Sequence, residues 1–284
     1  MHRILVVGGT GKTGRRVVLR LEHMGWPVRA ASPSNVSFPM DLADRTTWAP
    51  ALRDISAVYL MVPSTQAHLA TQGILGEFLS TAASAGVRRV VLLSGIGVRV
   101  ADEDFPLKIA ERELRAAGVE WTVLRPTWFS QNFSESYWLS DVLAGALRLP
   151  VGKGEVSFID AEDIADVAVA ALTQQGHAGQ VYDLTGPRAI GFAEVGDLIG
   201  RATGRTIRYV ETHQQAYTER LLNEGLPARV ANARTVLHVA IGEGRDGSGA
   251  VADGVVRALG RPPRAFEDYV SATAATGCWN GKRP

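Results

Sequence analysis

Near the N-terminus, Gly8-Gly9-Thr10-Gly11-Lys12-Thr13-Gly14 sets glycines in a G-x-x-G-x-x-G pattern directly after the apolar run Ile4-Leu5-Val6-Val7. An apolar run without polar alternation is what a strand buried on both faces shows, and such strands belong to parallel sheets covered by helices. The residues that follow, Lys12 to Met24, carry Val17, Val18 and Leu21 at helical spacing. Strand, glycine turn and helix in that order leave few folds open. In such a unit the first glycine permits the tight turn. The second lets backbone N–H groups approach a pyrophosphate at the helix N-terminus, and the third lets helix and strand pack closely. A tight turn that holds no ligand would use the same residues. The pattern is not read as a P-loop, because Lys12 precedes the last glycine, Gly14, instead of following it.

The pattern then repeats as an alternation. Strand candidates lie at Val28 to Ala31, Ala57 to Val62, Arg89 to Leu93, Trp121 to Leu124 and Gln180 to Leu184. Between them fall helix candidates at Arg45 to Leu52, Ala67 to Ala85, Glu103 to Ala117 and Ala161 to Thr173. Gly86 and Gly118 each stand just past a helix, where a left-handed cap is wanted. From Thr185 the alternation fades into a helix at Phe192 to Thr203 closed by Gly204, a strand at Ile207 to Val210, and mostly helical pattern. Gly242 to Gly249 reads as a loop, and the tail after about Thr276 as unstructured. The expected architecture is α/β, a Rossmann-type doubly wound parallel sheet with a smaller C-terminal substrate lobe. The core takes residues 1–130 and 155–184, and the lobe residues 131–154 and 185–275.

The chain has 284 residues, 46% hydrophobic and 21% charged, with a formal net charge of +1. That balance offers no basic face for nucleic acid, and no apolar run reaches the roughly 18 residues that span a bilayer. The N-terminus lacks a secretory cleavage site, and the single Cys278 suits a reducing compartment. A cytoplasmic monomer or homodimer acting on a small apolar or aromatic molecule is expected. The histidines at positions 2, 23, 68, 177, 213 and 238 show no metal-ligand spacing.

The second strand ends at Ala31-Ser32-Pro33-Ser34, without the Asp or Glu that holds a ribose 2′-hydroxyl in NAD enzymes. Nothing there repels a 2′-phosphate, and Ser32, Ser34, Lys12 or Arg29 can meet one. NADP(H) is the expected cofactor, with NAD(H) open as the alternative.

Gly8 to Val18, with Val28-Arg29-Ala30, Met40-Asp41-Leu42 and Arg88 to Ser94, resembles the NmrA-like, atypical short-chain dehydrogenase/reductases. The likeness is strongest in Glu120-Trp121-Thr122-Val123-Leu124-Arg125-Pro126 and Trp128-Phe129-Ser130-Gln131-Asn132-Phe133. It continues through Phe158 to Ala165 and Tyr182 to Pro187, and covers the chain to about Tyr269. Within the group it is most similar to the subgroup of fungal festuclavine and agroclavine dehydrogenases and their bacterial relatives, which reduce an iminium carbon. The group also holds quinone reductases and redox-sensing regulators without turnover. The resemblance implies that Gly8, Thr10, Gly11, Lys12, Thr13 and Gly14 line the pyrophosphate, with Asp41 beside the adenine. It places Val62 and Pro63 on the nicotinamide side, and Ser94 and Pro126 as cofactor-binding residues at the carboxyl ends of the strands that follow. Many relatives carry Arg just after the second strand, where this chain has Pro33.

Short-chain dehydrogenases of the usual kind use Tyr-x-x-x-Lys, the tyrosine as acid. None of Tyr59, Tyr137, Tyr182, Tyr209, Tyr217 and Tyr269 has lysine four residues on. Lys108 falls near the expected lysine, with Asp104 four residues before it. It is either a ribose-orienting or proton-donating group, or a solvated helix residue beside Glu111 and Arg112. A ketone reduced by hydride needs a proton at oxygen. An iminium or a quinone is already electrophilic, so losing the tyrosine points to imine, quinone or conjugated C=C acceptors. It equally suits a non-catalytic redox sensor, or a cyclase-like enzyme on the same fold. Trp128, Phe129, Phe133, Tyr137 and Trp138 form either a wall for a flat substrate or packing between lobes. Asn132 bonds a substrate or closes a turn, while Asp160 and Asp163 read as a helix cap and first-turn acid.

Overall fold

The computed structural model describes residues 3–33, 35, 37–63, 66 and 68–280; His2, Ser34 and Ala67, named above, lie outside the described residues. The chain opens with β1 (Arg3–Val7), α1 (Lys12–His23), β2 (Val28–Ala31), α2 (Trp48–Leu52) and β3 (Ile55–Met61). Next come α3 (His68–Thr71), α4 (Ile74–Ser84), β4 (Arg89–Leu93), α5 (Pro106–Ala116) and β5 (Glu120–Pro126). Then follow α6 (Asn132–Glu135), α7 (Leu139–Leu143), β6 (Ala146–Leu149), β7 (Glu155–Val156), α8 (Ala161–Thr173) and β8 (Gln180–Leu184). The chain closes with β9 (Ile190–Gly191), α9 (Phe192–Thr203), β10 (Arg208–Glu211), α10 (Gln214–Asn223), α11 (Ala228–Gly242), α12 (Gly254–Leu259) and α13 (Phe266–Ala275). Among the described residues no helix is long and apolar enough to cross a membrane.

Two compact units result. The first is Met1–Pro126, Ala161–Leu184 and Asp253–Pro262; the second is Thr127–Asp160, Thr185–Ala252 and Pro263–Pro284. The first unit thus takes in Asp253–Pro262, which sequence pattern groups with the lobe, and the second takes in 127–130 and 155–160, which it groups with the core.

The first unit is a six-stranded parallel sheet in the order β2-β1-β3-β4-β5-β8. Alternate strand residues divide between its two faces. Leu5, Val7, Val58, Leu60, Val90, Leu92 and Val123 pack with Leu75, Phe78 and Leu79 of α4 and Ala110 and Leu114 of α5. The residues between them, such as Ile4, Val6, Tyr59, Val91 and Leu124, are as deeply buried. Both faces are therefore covered, which is why the central strands β1, β3 and β4 read as nearly unbroken apolar runs. Charge ties α1 to α8: Arg20 donates to Glu162 and Asp166, each at 2.6 Å, and Arg16 to Glu162 at 2.6 Å.

Three expected elements differ. The helix expected over 67–85 is broken into α3 and α4 by Gly73, whose φ of +73° no helix admits. The helix expected from Glu103 begins at Pro106, because proline holds the preceding Phe105 extended, at ψ 127°. The tail expected to be unstructured is anchored: Trp279 is 0% exposed and its indole donates to the Phe133 carbonyl at 2.9 Å. Its apolar area holds the short segment in place although no periodic pattern announces it.

The second unit is built around aromatic rings. Phe133, Trp138, Phe158, Phe192 and Phe266 pack edge-to-face or tilted, with centroids 4.5–6.2 Å apart. Around them β6 pairs with β10 in parallel and β7 with β9 antiparallel.

Candidate functional site

All six strands of the first sheet run the same way, so the segments leaving their carboxyl ends gather along one edge. Those segments carry the glycine turn, Ser32, Val62 and Pro63, Ser94, and Pro126 at the end of β5. Open α/β sheets bind ligands along this edge, where strand order reverses around β1.

The glycine turn is steric in origin. Gly8 has φ +76°, and the Gly11 N–H donates to its carbonyl at 2.9 Å. A Cβ added at Gly14 would stand 2.1 Å from that same carbonyl oxygen, and one at Gly8 would stand 2.4 Å from Met61 Cε. No side chain caps α1 and its first turn holds no acid, so the positive end of the helix is presented to an anion. Thr10 is exposed, Lys12 begins the helix, and Thr13 is buried, accepting from the Tyr59 hydroxyl at 2.8 Å. Burial raises the Tyr59 phenol well above its ordinary range. These features fit a dinucleotide pyrophosphate.

Beyond β2, Ser32 is buried, and its carbonyl accepts from the Asn35 and Met40 N–H groups. Asp41 Oδ1 accepts from Gln66 Nε2 at 2.6 Å and from the Ala43 N–H at 2.9 Å. Arg29 lies elsewhere than expected. Its guanidinium is buried and donates to the carbonyls of Pro50, Ala51 and Arg53 at 2.7–3.1 Å. It satisfies the open end of α2 and is not positioned to receive a phosphate.

A charged cluster unannounced by any motif lies at the ends of β4 and β5. Glu111 of α5 is 0% exposed, and Arg125 clamps it in bidentate fashion, Nε to Oε1 at 2.8 Å and Nη2 to Oε2 at 2.6 Å. Arg115 adds a bond at 3.0 Å, and the Ser94 hydroxyl donates to Oε1 at 2.7 Å. Burial pushes the Glu111 carboxyl up, but the bonds from Arg125 and Ser94 prevail and hold it below the usual carboxylate range. Arg125 also stands 4.0 Å from Asp183, which Arg99 approaches at 3.5 Å. One signal was present: Arg125 interrupts an apolar strand, and a charge in such a strand calls for a buried counter-charge. Lys108 stays outside the cluster, its ammonium bonded to Glu103 at 2.8 Å and to the Ala101 carbonyl at 2.9 Å.

In the second unit, Trp128 is half-buried, and its indole N–H donates to Asp246 at 3.1 Å. Its rings tilt against Trp138 at 5.3 Å and His238 at 5.5 Å, with Tyr137 edge-on at 6.1 Å. Phe129 bridges to Ile159, and Asn132 is buried, its carbonyl accepting from the Trp138 N–H at 2.9 Å. Phe133 has no exposed surface and stands at the centre of the aromatic core, behind any wall that Trp128 forms. Asp160 accepts from Gln131 at 2.7 Å, while in the first unit Asp163 binds Arg261 at 2.7 Å.

A family described as NAD(P)H-binding matches residues 8–175. The chain belongs to that family. It is an NmrA-like, atypical short-chain dehydrogenase/reductase that binds NAD(P)H, and its relatives include proteins named as oxidoreductases. The NAD(P)H azoreductase of Xenophilus azovorans is 33% identical over 289 residues, covering 96% of this chain and 98% of that protein. Festuclavine synthase I of Penicillium roqueforti is 30% identical over 285 residues, with 94% and 96% covered. The NADPH-dependent quinone oxidoreductase of Escherichia coli, solved with NADPH, matches with a TM-score of 0.80 at 21% identity, covering 95% of this chain and 99% of that one. That last likeness is one of fold.

Proposed function

We propose that this chain is an NADPH-dependent reductase delivering hydride to an imine or iminium, a quinone or a conjugated C=C of a small molecule in specialised metabolism. The observation that carries the reading is the commitment of the proton donors in the first unit. The Ser94 hydroxyl donates to Glu111, the Lys108 ammonium is paired with Glu103, and the Tyr59 phenol is buried on Thr13. Ser94 and Tyr59 are thereby committed, and a carbonyl oxygen that must gain a proton is left with at most the third N–H of Lys108. An iminium carbon receives two electrons and a hydrogen together and becomes a neutral amine, so no proton is needed. Relatives named for azo and festuclavine chemistry support an electrophilic acceptor.

Bound reduced nicotinamide supplies the hydride. Gly8, Thr10, Gly11, Lys12, Thr13 and Gly14 hold the pyrophosphate, Ser32 and Asp41 the adenosine half, and Val62, Pro63, Ser94 and Pro126 the nicotinamide half. With no acid after β2 to repel a 2′-phosphate, NADPH is favoured over NADH. Trp128 and Phe129 offer a flat apolar acceptor an aromatic surface, and Asn132 a polar anchor. Lys108 acts at most through its remaining N–H.

The test is fluorescence titration with NADPH and NADH, followed by cyclic iminium ions and quinones while the reduced nicotinamide absorbance is watched. Tighter NADPH binding with turnover is expected. Binding without turnover across the panel would favour a redox sensor or a non-redox enzyme instead.

A further inference from the structure

We infer that Glu111 is a positioning residue that fixes the Ser94 hydroxyl as a hydrogen-bond acceptor, so that the site selects acceptors carrying an N–H⁺ over their N-alkylated counterparts. This rests on the reductase reading and narrows its substrate class.

A serine hydroxyl ordinarily turns to suit its ligand, donating or accepting. Here it is held. Glu111 is ionised, and an ionised carboxylate only accepts, so the hydrogen between Ser94 Oγ and Glu111 Oε1, 2.7 Å apart, belongs to Ser94. The carboxylate has no freedom to release it, because Arg125 grips both oxygens and Arg115 adds a third arginine bond. Ser94 is itself fixed as the first residue past β4, its N–H bonded to the Leu124 carbonyl at 2.8 Å. Ser94 is 8% exposed, buried but not sealed off, at the carboxyl end of β4. What remains for a ligand is the oxygen lone pairs, made richer by donation to a carboxylate.

Such an oxygen rewards an N–H⁺ and gives nothing to a carbonyl oxygen or a quaternary nitrogen. Hydride addition removes the charge from the iminium nitrogen, so this bond is stronger to substrate than to the transition state. It therefore tightens binding and lowers KM, and its loss should raise KM and kcat together rather than lower kcat.

The decisive measurement is calorimetry on the NADP⁺-loaded protein with two probes, the 1,2,3,4-tetrahydroisoquinolinium ion and its N,N-dimethyl analogue. The native protein is expected to bind the N–H probe on the order of tenfold more tightly. Ser94→Ala should remove the difference, and Ser94→Thr, which keeps the hydroxyl, should restore it. Glu111→Gln, whose amide can also donate to Ser94, should shrink the ratio with little change for the dimethyl probe. If Glu111→Gln does not fold, the Ser94 pair decides alone. Equal affinities in the native protein, or a ratio unchanged by Ser94→Ala, would overturn the inference. Absence of turnover with every acceptor would remove the reductase reading, whereas turnover with an unmoved ratio would remove only this one.

Discussion

Gly14 has no room for a side chain of any kind: the Gly8 carbonyl oxygen occupies the place of its Cβ, 2.1 Å away. Gly14→Ala must therefore shift the backbone of the turn, at a cost of about 1–3 kcal/mol. The expected result is at least a tenfold loss of NADPH affinity by fluorescence, with a lower melting temperature. His238 makes the second prediction at this scale. It is 0% exposed, its Nε2 accepts from Trp138 at 3.0 Å, and its Nδ1 faces the Arg234 carbonyl at 2.7 Å. The carbonyl can only accept and the indole can only donate, which fixes a neutral ring with hydrogen on Nδ1. Burial lowers its pKa to about 4. Between an ordinary value near 6.5 and that figure, the unfolded chain binds a proton the folded chain does not. Stability is thus intact above about pH 6.5 and is lost as pH falls toward 4, by up to about 3 kcal/mol. Urea unfolding across that range should show the slope, and His238→Asn, which does not titrate, should flatten it.

At the scale of elements, the tail shows what pattern alone misses. Trp279 follows no helical or strand repeat, yet its ring is fully enclosed and edge-on to Tyr269 at 6.0 Å. Trp279→Ala is expected to cost about 3–5 kcal/mol in urea unfolding, as for a buried aromatic. A change under about 0.5 kcal/mol, typical of exposed positions, would mean the tail is not anchored. The glycine signals fared differently. Gly86, Gly118 and Gly204 each take positive φ just past a helix, since a local steric preference needs no distant partner. Gly73 has the same conformation, but it lies within an apolar stretch whose periodicity hid the break between α3 and α4. The site divides in the same way. The turn at Gly8 to Gly14 is contiguous and could be read from spacing. The Ser94–Glu111–Arg125 cluster joins three elements and becomes visible only once β4, α5 and β5 are packed.

At the scale of the whole molecule, the parallel sheet was legible because its central strands β1, β3 and β4, buried on two faces, write nearly unbroken apolar runs. The second unit was legible only in part: the helix at Phe192 to Thr203 and the strand after it were, but β6 pairs with β10 across 62 residues, Ala146 with Arg208, and its core depends on rings scattered from Phe133 to Trp279. The sheet also carries the last prediction. A ligand that binds only folded protein stabilises it by mass action, and NADPH at a hundredfold excess over its Kd contributes about 2.7 kcal/mol. Amides of β1, β3, β4 and β5 that exchange only when the first unit unfolds should then slow about a hundredfold on adding NADPH. NADH at the same concentration should slow them less, in proportion to its weaker binding. In Gly14→Ala the protection should fall with the loss of affinity. Protection that arose without regard to the turn, equal in the native chain and in Gly14→Ala, would place the dinucleotide somewhere other than the carboxyl edge of this sheet.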